Sequence, residues 1–558
     1  MMNRKNKTII ILLITFVLGG TIGCQDQLDV GNPNAPTIKS NAASEPGLIS
    51  LAQGGVYING FSNGDVWLGD SYFSLVYGYS ELLGDIVGAQ SANQLISTLS
   101  IPDYFILDDG TKMSNPTSSI SLLRANNTRA QTGAGYNPTY YQWTNMYAMN
   151  NACNTVLSLI DGISFSGDAS SRANTLKAWC YWWKGYAYAS IGSMYYSGLI
   201  IDEVGKPSGE YVLHDDVIAK SNEYFSLAAS TLDGITSIDD YQTVLSQLIP
   251  AFCQTGNGGV LSVDMWKRNI NTMLARNILL NKLAPFVNND LNASIAKSST
   301  STMTASDWTN VLTYATNGIQ QGDFVFTGRT VSKNGFFTAS TGSVAAMATG
   351  TNASSSFKLS ERFVQNFKAD DKRLLNFDME TTYEDDLTFG TRYSLEDSTV
   401  SEAGVYDYGT KRVGEYELFI AGSYEENALM LAEANIRLGN VDDGLAYVDA
   451  VRDYMGAGVS AVANTGLDQT QAMVELVRER RVALAFRGIS FYDYRRWGYT
   501  YDIANGGGSY GNTLYASDGT LYTDVTINYN FLDYWDVPAD ESVLNPSTST
   551  VSTKNPNF

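Results

Sequence analysis

Tyr424–Met455, YEENALMLAEANIRLGNVDDGLAYVDAVRDYM, decides the fold. Tyr424 to Leu438 reads as a helix, Gly439-Asn440 as the turn that stops it, and Asp442 to Met455 as a return helix. The hairpin has roughly the length of one tetratricopeptide unit, about 34 residues. Its small Ala432 and Ala434 are expected to face the partner helix.

Working outward, Gln471 to Phe486 continues as a further helix, and the tail from Gly506 to Phe558 is rich in Gly, Tyr, Asn and Pro, predicting little regular structure. Upstream, Tyr141–Leu159 carries Trp143, Met146, Tyr147, Cys153, Val156, Leu157 and Ile160 at three- and four-residue steps, the mark of one apolar helical face. Ala173–Tyr196 adds Trp179, Trp182, Trp183, Tyr186 and Ala189, a stripe too broad for a solvated surface helix, so neighbours should sandwich it. Asp264–Pro285 and Ser306–Gln321 form another pair; in the second, Asp307 is expected to cap while Trp308, Val311, Leu312, Ala315 and Ile319 line one side. Ile49–Gly60 and Leu75–Val87 carry mixed helical patterns, and the segments between helical runs read as polar loops. The chain is therefore mostly α, built of tetratricopeptide-like helical hairpins with long irregular loop insertions. Its expected divisions are 1–23, a signal peptide; 24–46, a lipidated N-terminus and extended tether; 47–323, an N-terminal helical part; 324–412, an irregular insertion; and 413–558, C-terminal hairpins and tail.

Composition closes off several functions. The 558 residues are 44% hydrophobic and 17% charged, and 36 basic against 57 acidic residues leave −21. Nucleic acid is excluded as a ligand, because phosphate binding needs a basic footprint. The single histidine, His214, rules out multi-histidine zinc or iron sites and leaves any Ser/His or Cys/His scheme one residue to use. Asp108-Asp109-Gly110 and Asp370-Asp371 are not followed by the alternating oxygen ligands of a calcium loop, so solvated loop acids are the simpler reading and no metal or cofactor is expected. No phosphate loop or dinucleotide fingerprint is present.

Arg4, Lys5 and Lys7 precede the apolar run Thr8–Gly23, which is too short to span a bilayer, and then comes Cys24. Thr21-Ile22-Gly23-Cys24 is similar to a bacterial lipoprotein box, with Thr21 standing where that pattern usually has Leu. Cys24 is the expected lipidation site; an ordinary cleaved signal with an incidental cysteine is the other reading. Several acyl chains, each buried CH₂ worth about 0.8 kcal/mol, would hold the body on a membrane surface. Cleavage after Gly23 removes three positive charges and leaves −24. Cys153, Cys180 and Cys253 remain, read as buried free thiols or as one Cys153–Cys180 bridge.

Glu479–Gly498, ERRVALAFRGISFYDYRRWG, resembles the late signature of the SusD/RagB family of surface lipoproteins through Glu479, Arg480, Arg481, Leu484, Ala485, Phe486, Gly488, Asp493, Arg495, Arg496 and Trp497. Ala483 and Arg487 depart, since the family usually has Glu at both, so internal ion pairing must differ. The Glu426–Asn440 hairpin, the terminal Val537-Pro538, Asn545-Pro546 and Asn555-Pro556, and Asn32–Thr37, Trp143/Tyr147/Asn151 and Met273–Leu280 follow in family order. The resemblance implies a SusD-like α-α superhelix on the outer face of an outer membrane. Such a protein serves as a lid for a SusC-like TonB-dependent transporter and captures oligosaccharides or, in some members, peptides.

Glu479, Arg480, Arg481, Asp493, Arg495, Arg496 and Trp497 read as structural, since arginine stays charged and serves poorly as a base. No carboxylate pair is singled out for catalysis, so the chain is read as no enzyme; a lipid-anchored glycoside hydrolase is the alternative of another class. Sugar binding needs flat aromatic faces and polar groups for hydroxyls. Trp143, Trp179, Trp182, Trp183, Trp266 and Trp308 lie on helical patterns and belong to the core. Trp67, Tyr72, Tyr104, Phe105, Phe336, Phe337, Tyr406 and Tyr408 lie in irregular segments. The resemblance favours the loop after the first helices and the segment after the Trp308 helix, which selects Tyr104, Phe105, Asp108, Phe336 and Phe337 as ligand-binding candidates. The acidity of the chain argues against a highly anionic glycan. Replacing Cys24 by Ala is expected to move the protein from the membrane fraction to the soluble fraction; retention on the membrane contradicts the lipid anchor.

Overall fold

The computed structural model describes residues 42, 44–57, 78–89, 102–115, 124, 127, 138–283, 303–329, 357–376, 378–379, 391–394, 417–516, 519–529 and 533–556. Its helices are α1 (Glu45–Tyr57), α2 (Gly78–Leu83), α3 (Pro138–Leu159), α4 (Ala169–Met194), α5 (His214–Leu232), α6 (Ile238–Leu248), α7 (Val263–Asn281), α8 (Ala305–Thr316), α9 (Glu361–Val364), α10 (Tyr424–Arg437), α11 (Val441–Tyr454), α12 (Gln469–Ala483), α13 (Ser490–Arg496) and α14 (Ala539–Leu544). The strands are β1 (Val87–Ala89), β2 (Tyr104–Ile106), β3 (Lys112–Ser114), β4 (Ser197–Leu199), β5 (Tyr211–Leu213), β6 (Thr327–Arg329), β7 (Phe357–Ser360), β8 (Asp378–Met379), β9 (Thr391–Ser394), β10 (Glu417–Phe419), β11 (Ser509–Tyr515) and β12 (Leu521–Asn528). No described helix is long and apolar enough to cross a membrane.

The helices pack in a train, α3 on α4, α4 on α5, α5 on α7, α7 on α8, α8 on α10, α10 on α11 and α11 on α12, with α6 laid against α4 and α1. This is the mostly helical, tetratricopeptide-like train the sequence predicts. Polar caps start the helices: Asp168, Ser237, Ser262 and Ser423 each accept from a backbone N–H three residues on. At α8 the cap is Thr304, not Asp307; Asp307 is the third helical residue and closes a capping box by accepting from Thr304 N. Residues 214–248, expected to be polar loop, fold as α5 and α6. Val217, Ser221, Tyr224, Phe225 and Ala228 give α5 its buried stripe, and Tyr241, Val244, Leu245 and Leu248 give α6 its own.

Trp179, Trp182 and Trp183 of α4 are fully buried, and with Trp266 of α7 they box in Phe326 at centroid distances of 4.8–5.7 Å. Such tilted and edge-on pairs add roughly 0.5–1.5 kcal/mol each beyond the area they bury. In the 424–455 hairpin, Ala432 does face the return helix: a methyl on Gly444 would lie 2.6 Å from the Ala432 carbonyl oxygen. Ala434 turns instead to Ala275, Trp308, Val311 and Ala315, in a second small core against α7 and α8. Cys153, Cys180 and Cys253 are buried free thiols, so the Cys153–Cys180 bridge is not formed.

The tail departs from expectation. β11 and β12 form an antiparallel hairpin, and β12 pairs with β2, some 420 residues earlier, in a sheet of order β11-β12-β2-β3. Its apolar face, with Phe105, Leu514, Val525 and Ile527, closes on the main core. Within 324–412 the described residues carry short strands and the single-turn α9.

Buried ion pairs hold α12 and α13 to the rest. Arg480 grips Asp493 through two bonds of 3.0 Å, and Arg496 reaches both Asp493 at 2.7 Å and Glu433 of α10 at 2.7 and 2.8 Å. Glu479 accepts from Arg373 at 2.6 Å and Arg452 at 2.9 Å. Arg481 donates to the Gly84 and Asp85 carbonyls, and Arg495 to those of Ser193, Leu280 and Asp533. Arg487, where the signature usually has Glu, pairs with Glu425 at 3.0 Å over the Phe419 ring. Removing one partner strands the others without water; Asp493→Ala is expected to cost about 3–5 kcal/mol in denaturant unfolding. A loss below about 1 kcal/mol contradicts this role for Asp493.

Between α12 and α13 the chain turns through Phe486 and Gly488, both at positive φ, and their N–H groups donate to Glu81 of α2, as does the Ser490 hydroxyl. Burial raises the Glu81 carboxyl from 4.5 to about 7, although these donors and Arg481 pull it down. The folded state therefore holds a proton that the unfolded chain releases. This contribution, on the order of 3 kcal/mol, is present below about pH 4.5 and is lost as pH rises through about 7. Glu81→Gln is expected to flatten the decline in denaturation midpoint between pH 5 and 7.5; an unchanged slope contradicts it.

Candidate ligand cleft

The helical period places Thr470, Met473, Val474, Val477, Arg478 and Arg481 on one face of α12, while Ala472, Leu476, Glu479 and Ala483 turn inward. That outer face is one wall of a cleft of about 520 Å³. Residues Ser509–Thr513 of β11 form the opposite wall, and Tyr494 of α13 with Trp497 and Tyr499 just after it lie between. Arg437 from the end of α10 and Arg362, Gln365 and Asn366 from α9 and the turn after it complete the lining. Five segments between residues 362 and 513 thus converge, in a volume within the roughly 300–1,000 Å³ usual for ligand sites. A second cavity, lined by Gln142, Tyr186, Arg276, Arg487 and Tyr492 among others, holds only about 80 Å³.

Tyr510 is 62% exposed, with its hydroxyl donating to the Gly507 carbonyl. It offers an open ring face at the cleft. Arg481 lies over the Tyr494 ring at 4.5 Å and Arg496 over Trp497 at 5.0 Å. The Trp497 indole N–H is buried and has no acceptor among the described residues. Burial lifts the Tyr499 hydroxyl above the ordinary tyrosine range, and the charges pulling it back are Arg481, Arg496 and Arg437.

The carboxylates behind the lining are held ionised. Burial pushes Asp85 upward, but Arg362 and Arg481 beside it bring it below the usual range. Burial likewise opposes Glu433 and Glu475, and Arg496 with Arg437, and Arg452 with Lys368, more than offset it. Asp85, Glu433 and Glu475 are thus carboxylates whose charge is matched to the arginines of the lining.

Tyr104, Phe105 and Asp108 lie in and beside β2, outside this lining. Adjacent strand residues point to opposite faces, so Tyr104 and Phe105 do not present to one ligand together. Phe105 is 2% exposed and packs in the core opposite Ile527 and Met113, which corrects its reading as a stacking face. Tyr104 is half-buried, with the Lys112 ammonium 3.6 Å from its ring centroid. Asp108 accepts the backbone N–H groups of Thr523 and Asp524 at 2.8 and 3.0 Å, clasping the end of β2 to β12, and these bonds hold its carboxyl below the usual range. Phe336, Phe337, Trp67, Tyr72, Tyr406, Tyr408 and Cys24 lie outside the described residues. The cleft residues Arg437, Arg478, Tyr499 and Tyr510 were not among the sequence candidates. The one signal toward them is the polar-apolar face of α12, which becomes a wall only once β11 is known to stand opposite.

No curated protein matches the chain. The sequence profile of the SusD family matches residues 424–557. Among solved structures, a putative sugar binding protein from Bacteroides vulgatus is 15% identical with a TM-score of 0.52, covering 90% of this chain and 95% of its own. A SusD-like carbohydrate binding protein from the same organism is 14% identical, with a TM-score of 0.50 and coverage of 90% and 97%. A SusD superfamily protein from Parabacteroides distasonis is 12% identical, with a TM-score of 0.52 and the same coverage. At such identities the likeness lies in the fold. The profile spans the 424–455 hairpin, the arginine-rich signature and the tail, and the shared fold runs through nine-tenths of the chain: over residues 424–557 this protein is similar in sequence to the SusD family, and over most of its length it has the fold of the SusD superfamily structures.

Proposed function

We propose that the protein is a cell-surface receptor that captures oligosaccharides without cutting them. It is held to the outer face of the outer membrane by lipid on Cys24 and delivers its ligand to a SusC-like TonB-dependent transporter, over which it acts as a lid. The observation that carries the reading is the cleft between α12 and β11: an exposed tyrosine face at Tyr510, with Trp497 and Tyr499 and a set of side-chain donors, in a volume suited to a few sugar rings. Aromatic faces meet the C–H surfaces of a sugar, and nitrogen donors meet its hydroxyl oxygens. The match of residues 424–557 to the SusD family supports the membrane setting and the partner. Two solved proteins of the same fold carry sugar or carbohydrate binding in their descriptions. Phe336 and Phe337 stay in the proposal as further aromatic contacts.

Calorimetry over a set of oligosaccharides is expected to yield a binder, with Tyr510→Ala weakening it about tenfold. Unchanged affinity in that variant removes the cleft from the reading. Hydrolysis that a single carboxylate substitution abolishes would overturn the receptor reading itself. Extraction of native membranes in mild detergent is expected to recover a large TonB-dependent transporter with the protein, and recovery of the protein alone counts against the lid.

A further inference from the structure

The chain carries −21, yet the cleft lining holds four arginines, Arg362, Arg437, Arg478 and Arg481, and no Asp or Glu among the described residues. Each of these arginines shares its carboxylate with another cation. Asp85 faces both Arg362 and Arg481, and Arg481 itself donates only to neutral carbonyls. Glu433 is taken by Arg496 at 2.7 Å, leaving Arg437 at 3.8 Å from it and two-fifths exposed. Glu475 receives Arg452 and Lys368 as well as Arg478, whose side chain is about one-third exposed. The buried Trp497 N–H adds a donor without an acceptor. Remote surface acids count little here, because charges separated by more than about 8 Å are screened at physiological salt, whereas a cleft lined by one sign focuses its field.

We propose that this cleft selects acidic saccharides, with Arg437 and Arg478 receiving a carboxylate or sulfate group on a sugar whose ring faces Trp497 and Tyr510. The inference rests on the oligosaccharide reading above and narrows it to one class of sugar. Planar guanidinium groups suit both anions, which they bind through paired N–H donors. An acidic peptide would share the charge and would need a regular strand edge to pair with. β11 is the edge of its sheet, and register shifts between Ser509 and Asn512 and between Asn512 and Leu514 break the regular ladder such a peptide would extend. The expectation drawn from overall acidity, that an anionic glycan is disfavoured, is thus reversed locally.

The test is calorimetry of the full chain with tetragalacturonate, its methyl ester, a chondroitin sulfate tetrasaccharide, neutral galactotetraose and hexaglutamate. At least one acidic saccharide is expected to bind tighter than the neutral ones, more weakly as salt rises. Arg437→Gln/Arg478→Gln should lose about tenfold or more, and Arg437→Lys/Arg478→Lys should lose less. Both pairs are partly exposed, so unaltered melting will show the variants folded. Neutral saccharides binding as tightly as acidic ones, with the Gln variant unaffected, overturn the inference and leave the oligosaccharide reading standing. Hexaglutamate binding tighter than every saccharide overturns it in favour of a peptide. No saccharide of either kind binding removes the oligosaccharide reading and this inference with it.

Discussion

Asp493 lies between the guanidinium groups of Arg480 and Arg496, 4% exposed, and Arg496 carries the linkage on to Glu433 in α10. Taking such charges out of water costs several kcal/mol per ion, and the attraction between them returns it only when geometry and further hydrogen bonds are good. Here two paired arginine contacts and a shared carboxylate supply them, although Arg480 Nη1 is left without a hydrogen-bond partner among the described residues. The consequence is specificity of placement: α12 and α13 have one orientation against the 424–455 hairpin in which no charge is stranded. Glu479, with Arg373 and Arg452, repeats the device on the inner side of α12.

Everything around the cleft inherits its position from that clamp. The inward face of α12 is fixed by ion pairs, so the outward face, with Arg478 and Arg481, is fixed too. α13 ends at Arg496, which sets where Trp497 and Tyr499 emerge. The sheet that supplies the opposite wall is tied back through β12 to β2 and through Asp108 to Thr523 and Asp524, so residues from both ends of the chain stabilise one site. A cleft built this way is largely preformed, and a ligand bound there would cost little conformational freedom of the protein.

Strong local periodicity made much of the helical body legible. The tryptophans of α4 and the Gly439-Asn440 turn announced a buried helix and a hairpin without reference to anything else in the chain. Residues 214–248 read as loop although α5 and α6 carry buried stripes through Val217, Phe225 and Leu232 and through Tyr241, Val244 and Leu248, because the Asp, Ser, Lys and Thr residues between them give the segment a polar look. The tail was opaque for another reason. β11 contains Gly511 and Asn512, residues of low strand preference, and the hairpin is held by the pairing of β12 with β2, a partner that lies far outside any sequence window. Phe105 was misread for the same cause: its face of the strand is decided by Ile527, not by its neighbours. The arginine-rich signature could be read as structural, yet the cleft beside it depends on which of its residues point outward.

Net charge proved a poor guide to local chemistry. Among the described residues, arginines gather around α12 and α13, where Asp493, Glu475 and Glu479 each face two or more cations. The most direct measurement is hydrogen–deuterium exchange with and without a saturating oligosaccharide. The account predicts that slowed exchange concentrates in residues 469–483, 497–499 and 509–515, the two walls of the cleft and the segment between them. Protection confined to other parts of the chain, with these segments unchanged, would contradict it.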